Sequence, residues 1–540
     1  MLEVLPMTRR VIPALLAAFC LILPAAIAAA QSSTTGAIVG TVYDPTGAAL
    51  AQTSVKVVNQ ATNAAASATT DSHGGYELAN LPPGTYKLTV SHAGFSTATV
   101  TGLQVEVNKS TLAPVSLKLG ATTTEVTVNA GATAALQTTD AQIGNVIPTS
   151  AILRLPTLQR NATELMNLEP ATVAGGANLN MRVSGALDDQ NTVTLDGIDI
   201  TQNVVAGNTS IPTPADSVEE FRGTVANPGA SLMRASGGQV TLVGRRGTKD
   251  MHGAAYEYVQ NTDLNANTWD NNRQHQPRAG INDNRFGGRL GGELFNDKTF
   301  YFVNYEGRRF KSASQVTRTV PTDTLKAGMV QFQGPGGLES FNLASASVCG
   351  PLGIAACDPR GLGVSPAVAA QWKDLPTPNL TGVGDGLNTS GYFFNIPTPT
   401  NTNYEVLRLD HTFTSNLSFN GTFTYFKNST VGSGQVEILN GNPASAITDP
   451  QESMVPTGQL NWQISPNLLN VFRFGWVRDS SQTNATSPTG GANLLNIPGS
   501  KTADGNVALL IGSGVGGFMD EPIDMDTQRA RFQGNWTGDF

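Results

Sequence analysis

The chain has 540 residues, 14% of them charged, with 57 glycines and a formal net charge of −8. That length exceeds one ordinary core and points to about three domains. The acidic balance and the lack of an extended Lys/Arg run exclude a general nucleic-acid binder, which needs a basic face. Abundant Gly, Asn, Thr and Ser favour strands and turns over helices.

Residues 1–30 read as an export signal. Arg9-Arg10 make a positive start, Val11 to Ile27 is apolar, and Ala28-Ala29-Ala30 precedes Gln31. Ala28 and Ala30 supply the small-x-small pattern, so cleavage is expected after Ala30. Pro13, Pro24 and the short run argue against a spanning helix. Phe19 before Cys20 argues against a lipid anchor. No later segment approaches a transmembrane helix, so any membrane crossing has to use a barrel.

Residues 36–120 carry short strands with turns at regular spacing. Gly36 to Tyr43 is extended, Asp44-Pro45-Thr46-Gly47 turns, and Ser54 to Asn59 alternates. Asp71 to Gly75 and Leu81-Pro82-Pro83-Gly84 turn again, and Thr85 to Val90 alternates. Such punctuation without a helical period predicts a sandwich. The pieces G-T-V-x-D-x-x-G at 40–47, T-D-x-x-G-x-Y at 70–76, L-P-P-G-x-Y at 81–86 and Gly94-Phe95 resemble the carboxypeptidase regulatory-like domain. The resemblance implies a seven-stranded, transthyretin-like, non-catalytic sandwich. Relatives of that fold bind carbohydrate, but no paired aromatics stand ready to stack on a sugar here.

The linker 121–135 contains an extended β-branched run. Thr124, Glu125, Val126, Thr127 and Val128 resemble a TonB box, the segment that an inner-membrane energy-coupling protein grips. A strand with unpaired backbone groups can add to another protein's sheet edge. The same run reads equally well as the last strand of the sandwich.

Residues 136–248 hold Ile152 to Thr157, Arg182-Val183-Ser184-Gly185, Asn191 to Ile198 and Asp216 to Phe221, in that order. This resembles the α/β plug domain of TonB-dependent receptors, with Arg182, Gly185, Asp196 and Gly197 as its motif residues. Asp196 could be read as a catalytic acid. A turn aspartate that bonds backbone amides is the commoner role.

From 249 to 540 the strands alternate. Leu290 and Leu294 oppose Arg289 and Glu293; Leu407, Leu409 and Phe413 oppose Arg408 and Asp410. Leu417, Phe419, Phe423 and Tyr425 oppose Ser418, Asn420, Thr422 and Thr424. Leu460, Trp462 and Ile464 oppose Asn461 and Gln463. Phe472, Phe474 and Trp476 oppose Arg473, which is expected to face the lumen or plug and to tolerate Arg473→Gln. Long connections (310–402, 428–453, 480–524) alternate with tight ones near Asn296, Ser415 and Pro466. The two rims of a membrane barrel face different compartments, and that parity follows; a soluble sandwich has no reason to keep it. Cys349 and Cys357 fall in the first of those long connections and are expected to form a disulfide. His252-Gly253, Asn284 to Gly288 and Phe300 to Arg308 resemble the Oar-like branch of TonB-dependent receptors.

The expected fold is therefore mainly β: a transthyretin-like sandwich, an α/β plug and the first strands of a large antiparallel transmembrane barrel. The resemblance implies about twenty-two strands, and eight are placed here. A barrel of eight has no room for a plug, so the chain is expected to be a fragment. Gly512 to Gly517 fits a dinucleotide fingerprint but lacks the following helix, and the scattered histidines lack metal-ligand spacing. No cofactor, metal or catalytic site is expected. The resemblance implies a transporter in the bacterial outer membrane with its sandwich in the periplasm. Its implied partners are a TonB-type complex, outer-membrane lipid and an extracellular substrate. The alternative is a structural or adhesive surface protein without energised transport.

Overall fold

A computed structural model describes residues 34–120, 125–129, 141–485 and 525–539, except 156, 158, 175–180, 203–208, 230–235, 274–277, 279, 296, 344–347, 350–354, 357–368, 370–371, 374, 433–435, 440–441, 446 and 466–467. The export signal with Ala28 and Ala30, the residue Thr124, Cys357 and the Gly512 to Gly517 run lie outside the described residues.

The sandwich is built from β1 (Gly36–Tyr43), β2 (Ser54–Asn59), β3 (Ala65–Thr69), β4 (Gly75–Leu81), β5 (Gly84–Ser91), β6 (Thr97–Val105), β7 (Ser110–Leu112) and β8 (Val115–Ser116). One sheet runs β4-β1-β7, with β8 also on β1; the other runs β3-β2-β5-β6. Alternation sends Val55, Val57, Leu88 and Val90 against Ile38, Val42, Leu78 and Leu117 in a shared core. Each fully buried side chain of that size contributes about 1.5–3 kcal/mol. The turns are held by aspartates. Asp44 accepts the Thr46 and Ala48 amides at 2.8 and 2.9 Å, and Asp71 accepts those of His73 and Gly75 at 2.8 Å. A further strand, β9 (Glu125–Asn129), runs parallel to β6, with Thr97 opposite Glu125 and Thr101 opposite Asn129.

The plug has β10 (Ile143–Pro148), a hairpin of β11 (Thr172–Ala174) and β12 (Met181–Val183), then β13 (Thr192–Leu195), β14 (Ile198–Asp199), β15 (Val218–Ala226) and β16 (Gln239–Gly244). Its main sheet runs β10-β15-β16-β13-β14, with only β13 and β16 parallel. Its helical part is smaller than an α/β layer. Among the described residues it amounts to one four-residue α-helix at Thr149–Ile152 and short 3-10 turns, of which Ala162–Leu168 is the longest.

The third unit is one antiparallel sheet. Its wall strands include β17 (His252–Asn261), β18 (Ile281–Phe295) and β19 (Thr299–Pro321). The connection after β19 holds β20 (Met329–Gly334), β21 (Gly337–Asn342), β22 (Val348–Cys349), β23 (Ala355–Ala356) and β24 (Thr389–Pro397). The wall resumes with β25 (Thr400–Thr414) and β26 (Leu417–Val431). A small hairpin of β27 (Val436–Leu439) and β28 (Asn442–Ser445) comes next, followed by β29 (Ile447–Ser465), β30 (Leu468–Ala485) and β31 (Met525–Asp539). The order is β17-β18-β19-β25-β26-β29-β30-β31, with β24 on the far end of β19, and the sheet is open rather than closed.

Long and short connections alternate as expected, but the strands run further than the apolar pattern indicates. Segment 310–321 belongs to β19, which is 23 residues long, and Ala313–Pro321 pairs with β24. At about 3.3 Å per residue such a strand outruns a membrane. Its outer half needs no lipid-facing apolar row, so Lys311, Ser312, Gln315 and Arg318 read as loop in the sequence.

Face assignment follows the alternation. Leu290, Leu294, Leu407, Leu409, Phe413, Phe423, Trp462, Ile464, Phe472 and Phe474 are 39–54% exposed, a band of large apolar side chains that suits lipid and not water. On the inner face Phe302, Tyr404, Val406, Phe426, Val455 and Val477 join one hydrophobic core with Ile198, Ile200, Phe221 and Leu242 of the plug.

Candidate functional site: the plug against the barrel wall

The turn between β13 and β14 forms the first contact. Asp196 and Gly197 both sit in the left-handed region, at φ 49° and 78°, where Asp and Gly are the tolerant residues. The turn thrusts the Asp196 carboxylate, 8% exposed, at the wall. Asp196 accepts the Gly244 amide at 2.9 Å, Arg408 Nη1 at 3.3 Å and the Thr422 hydroxyl at 3.3 Å. Arg408, on the inner face of β25, also donates to Asp410 at 2.8 and 2.9 Å and to the Gly244 carbonyl at 3.3 Å. A buried guanidinium shared by two carboxylates and a carbonyl keeps its charge neutralised without water.

Arg473, on β30, meets three units at once. It donates to Gln459 of β29 at 2.7 Å and to Thr34 at the start of the sandwich at 2.8 Å. Its guanidinium also packs on Gly197, where an added Cβ would collide with it.

A second ionic cluster surrounds Asp216. Arg160 donates to it at 2.6 Å, and Arg289 of β18 pairs with its other oxygen. The Arg160 guanidinium lies 3.8 Å over the Tyr258 ring, a favourable cation–π position. Arg285 pairs with Glu306 at 3.7 Å and donates to the Gln159 carbonyl, and Glu306 accepts from Tyr256 at 3.1 Å. Plug arginines and acids thus face wall arginines and acids on strands β17 to β19.

A third contact joins sandwich to plug. Glu220 on β15 accepts the Val107 amide at 2.7 Å, and Arg222 two residues along donates to the Val107 carbonyl at 3.1 Å. Gln142 accepts from both Arg222 and Asn108, at 3.1 and 3.2 Å. Removal from water pushes the Glu220 carboxyl up to about 8, against the pull of the Val107 amide.

Of the motif residues expected from the sequence, Asp196 and Gly197 meet the wall. Arg182 and Gly185 lie exposed in and beside the separate β11–β12 hairpin, with Gly185 at φ 80°. Glu125, Val126, Thr127 and Val128 lie in β9 on the sandwich. Cys349 ends the two-residue strand β22, and its expected partner falls outside the described residues. The sequence reading missed Arg160, Asp216, Glu220, Arg222 and Glu306 as contact residues. For Glu220, Arg222 and Glu306 the one signal is charge inside a strand, while Arg160 and Asp216 lie outside strands and carry no such signal.

A wall of alternating strands around a latched plug defines an outer-membrane barrel. The family model for an outer membrane beta barrel domain matches residues 243–538, over half of the chain, and the chain belongs to that family. A carboxypeptidase regulatory-like domain model matches residues 37–140. Among individual proteins, the chain is 25% identical over 326 residues to the TonB-dependent transporter Oar of Myxococcus xanthus, across 56% of this chain and 29% of that protein. The chain thus spans less than a third of this relative's length. Solved structures resembling it include the outer membrane transporter YddB of Escherichia coli, with 13% identity, TM-score 0.40, and coverage of 63% of this chain and 39% of that one. Another is a ferric enterobactin receptor of Pseudomonas aeruginosa, with 11% identity, TM-score 0.36, and coverage of 73% and 46%.

Proposed function

We propose that this chain is the sandwich, plug and leading wall of a TonB-dependent outer-membrane transporter. Export removes residues 1–30, the sandwich lies on the periplasmic side, and an inner-membrane TonB-type protein grips 124–128. Its pull, driven by the proton gradient, shifts the plug and opens a path along the polar inner wall for a substrate bound outside. The observation that carries this reading is the plug's attachment. It is held to the wall through buried charge pairs at Asp196 and Asp216, beside an apolar core that plug and wall share. The similarity to the Oar transporter supports it.

The test is direct. Purified periplasmic domain of the TonB protein should bind the full-length protein in outer-membrane vesicles, and deletion of 122–129 should abolish binding while the protein stays in the membrane. Undiminished binding after that deletion sinks the assignment of the segment. No binding to either form favours a surface protein without energised transport.

A further inference from the structure

The segment read above as the coupling strand does not stand alone. Its residues Glu125 to Val128, with Asn129 after them, pair in register with β6, from Thr97 opposite Glu125 to Thr101 opposite Asn129. The strands are hydrogen-bonded in a parallel ladder, so a pull on β9 passes through that ladder to β6. β6 ends at Val105, and two residues later Val107 is gripped from both sides. Its N–H goes to Glu220 and its C=O to Arg222. Val107, Glu220 and Arg222 are 0%, 5% and 1% exposed, so water does not compete for those bonds. Glu220 and Arg222 belong to β15, which lies inside the plug sheet with β10 on one side and β16 on the other. Phe221 between them sits in the core shared with the wall.

We infer that the sandwich is the handle through which a pull on 125–129 reaches the plug, by the route β9, β6, Val107 and β15. The covalent connection 130–140 is then a secondary tie. This rests on the reading of 124–128 as the coupling segment, but it makes a separate mechanical claim. Eleven residues can extend to roughly 35–40 Å. If the connection carried the pull, it would first be drawn out by any such length not already spanned. If the sandwich carries it, the plug strand is loaded before the connection is taut.

Force spectroscopy on the full-length protein in a bilayer separates the two routes. Cys349 and Cys357 are replaced by Ser, and Asn129→Cys provides the attachment point. The molecule is pulled from the face bearing the sandwich, and the extension at which the plug yields is read. A Gly-Ser insertion of known length after Ala135 should leave that extension unchanged. Glu220→Ala with Arg222→Ala should lengthen it, by up to roughly 35–40 Å. Growth of the extension by the inserted length, with the Val107 grip intact, overturns the proposal, and so does an unchanged extension in the double variant. The insertion does not touch the grip, so it decides the matter even if the double variant fails to fold. No TonB protein takes part, so a failed binding experiment would remove the coupling assignment without deciding this one.

Discussion

Asp196 shows what a single side chain does at the plug–wall junction. Its carboxylate closes on Gly244 within the plug and on Arg408 and Thr422 in the wall, while its φ of 49° sets the turn that aims it. Asp196→Ala strips Arg408 of one buried counter-charge, leaves Asp410, and removes from a left-handed turn the polar side chain that bonds the Gly244 amide. A loss of about 3 kcal/mol in plug retention is expected, read as a lower urea concentration at which protease cuts the plug. Asp196→Asn keeps an acceptor for Gly244 and tolerates the turn, so its loss should be clearly smaller. Equal losses would place the whole effect in the charge pair and none in the turn. The Asp-Gly turn at 196–197 was legible in the sequence, because that pair at a strand end signals a turn. Its partner Arg408 was legible only as an inward residue. A pairing 212 residues apart depends on how two domains dock, and no local pattern encodes that.

At the scale of the strand, alternation proved sufficient. Phe472 and Phe474 are 50% and 45% exposed on the outer face, and Arg473 between them is 5% exposed on the inner one. Phe474→Arg places a charge on the lipid face and should cost about 2–4 kcal/mol at mid-membrane, seen as reduced folding yield in bilayers. Arg473→Gln should still be nearly neutral for folding of the wall, but the guanidinium ties Gln459 to Thr34 and covers Gly197. The wall should still insert, but chemical cross-linking between sandwich and wall should fall. Unchanged cross-linking would show that Thr34 is held by other means. The parity of connections was readable because lipid and two compartments constrain it. Strand ends were not readable, since beyond the membrane β19 needs no apolar row. The role of 125–129 stayed open in the sequence because a β-branched run suits either partner sheet; the backbone joins it to β6, and the coupling role is left to the binding experiment.

At the scale of the molecule, plug and wall share an apolar core, buried charged contacts join all three units, and one of those contacts is tunable by proton concentration. Glu220 is drawn into the sandwich–plug interface, and burial raises its carboxyl to about 8 from an ordinary 4.5. The docked state therefore holds a proton that the undocked, hydrated carboxyl releases at a lower pH. Docking is strongest below about pH 4.5 and weakens as pH rises through 8, with a slope approaching about 1.4 kcal/mol per pH unit between those limits. Arg222 and the Val107 amide both favour the charged form and moderate the loss. Protease release of the sandwich from membrane-embedded protein should accordingly quicken between pH 5 and 8. Glu220→Gln, which keeps an acceptor for Val107 and never ionises, should flatten that dependence and hold the sandwich at alkaline pH. A steep pH dependence persisting in Glu220→Gln would assign the titration to another group and leave the interface without a proton-sensitive latch.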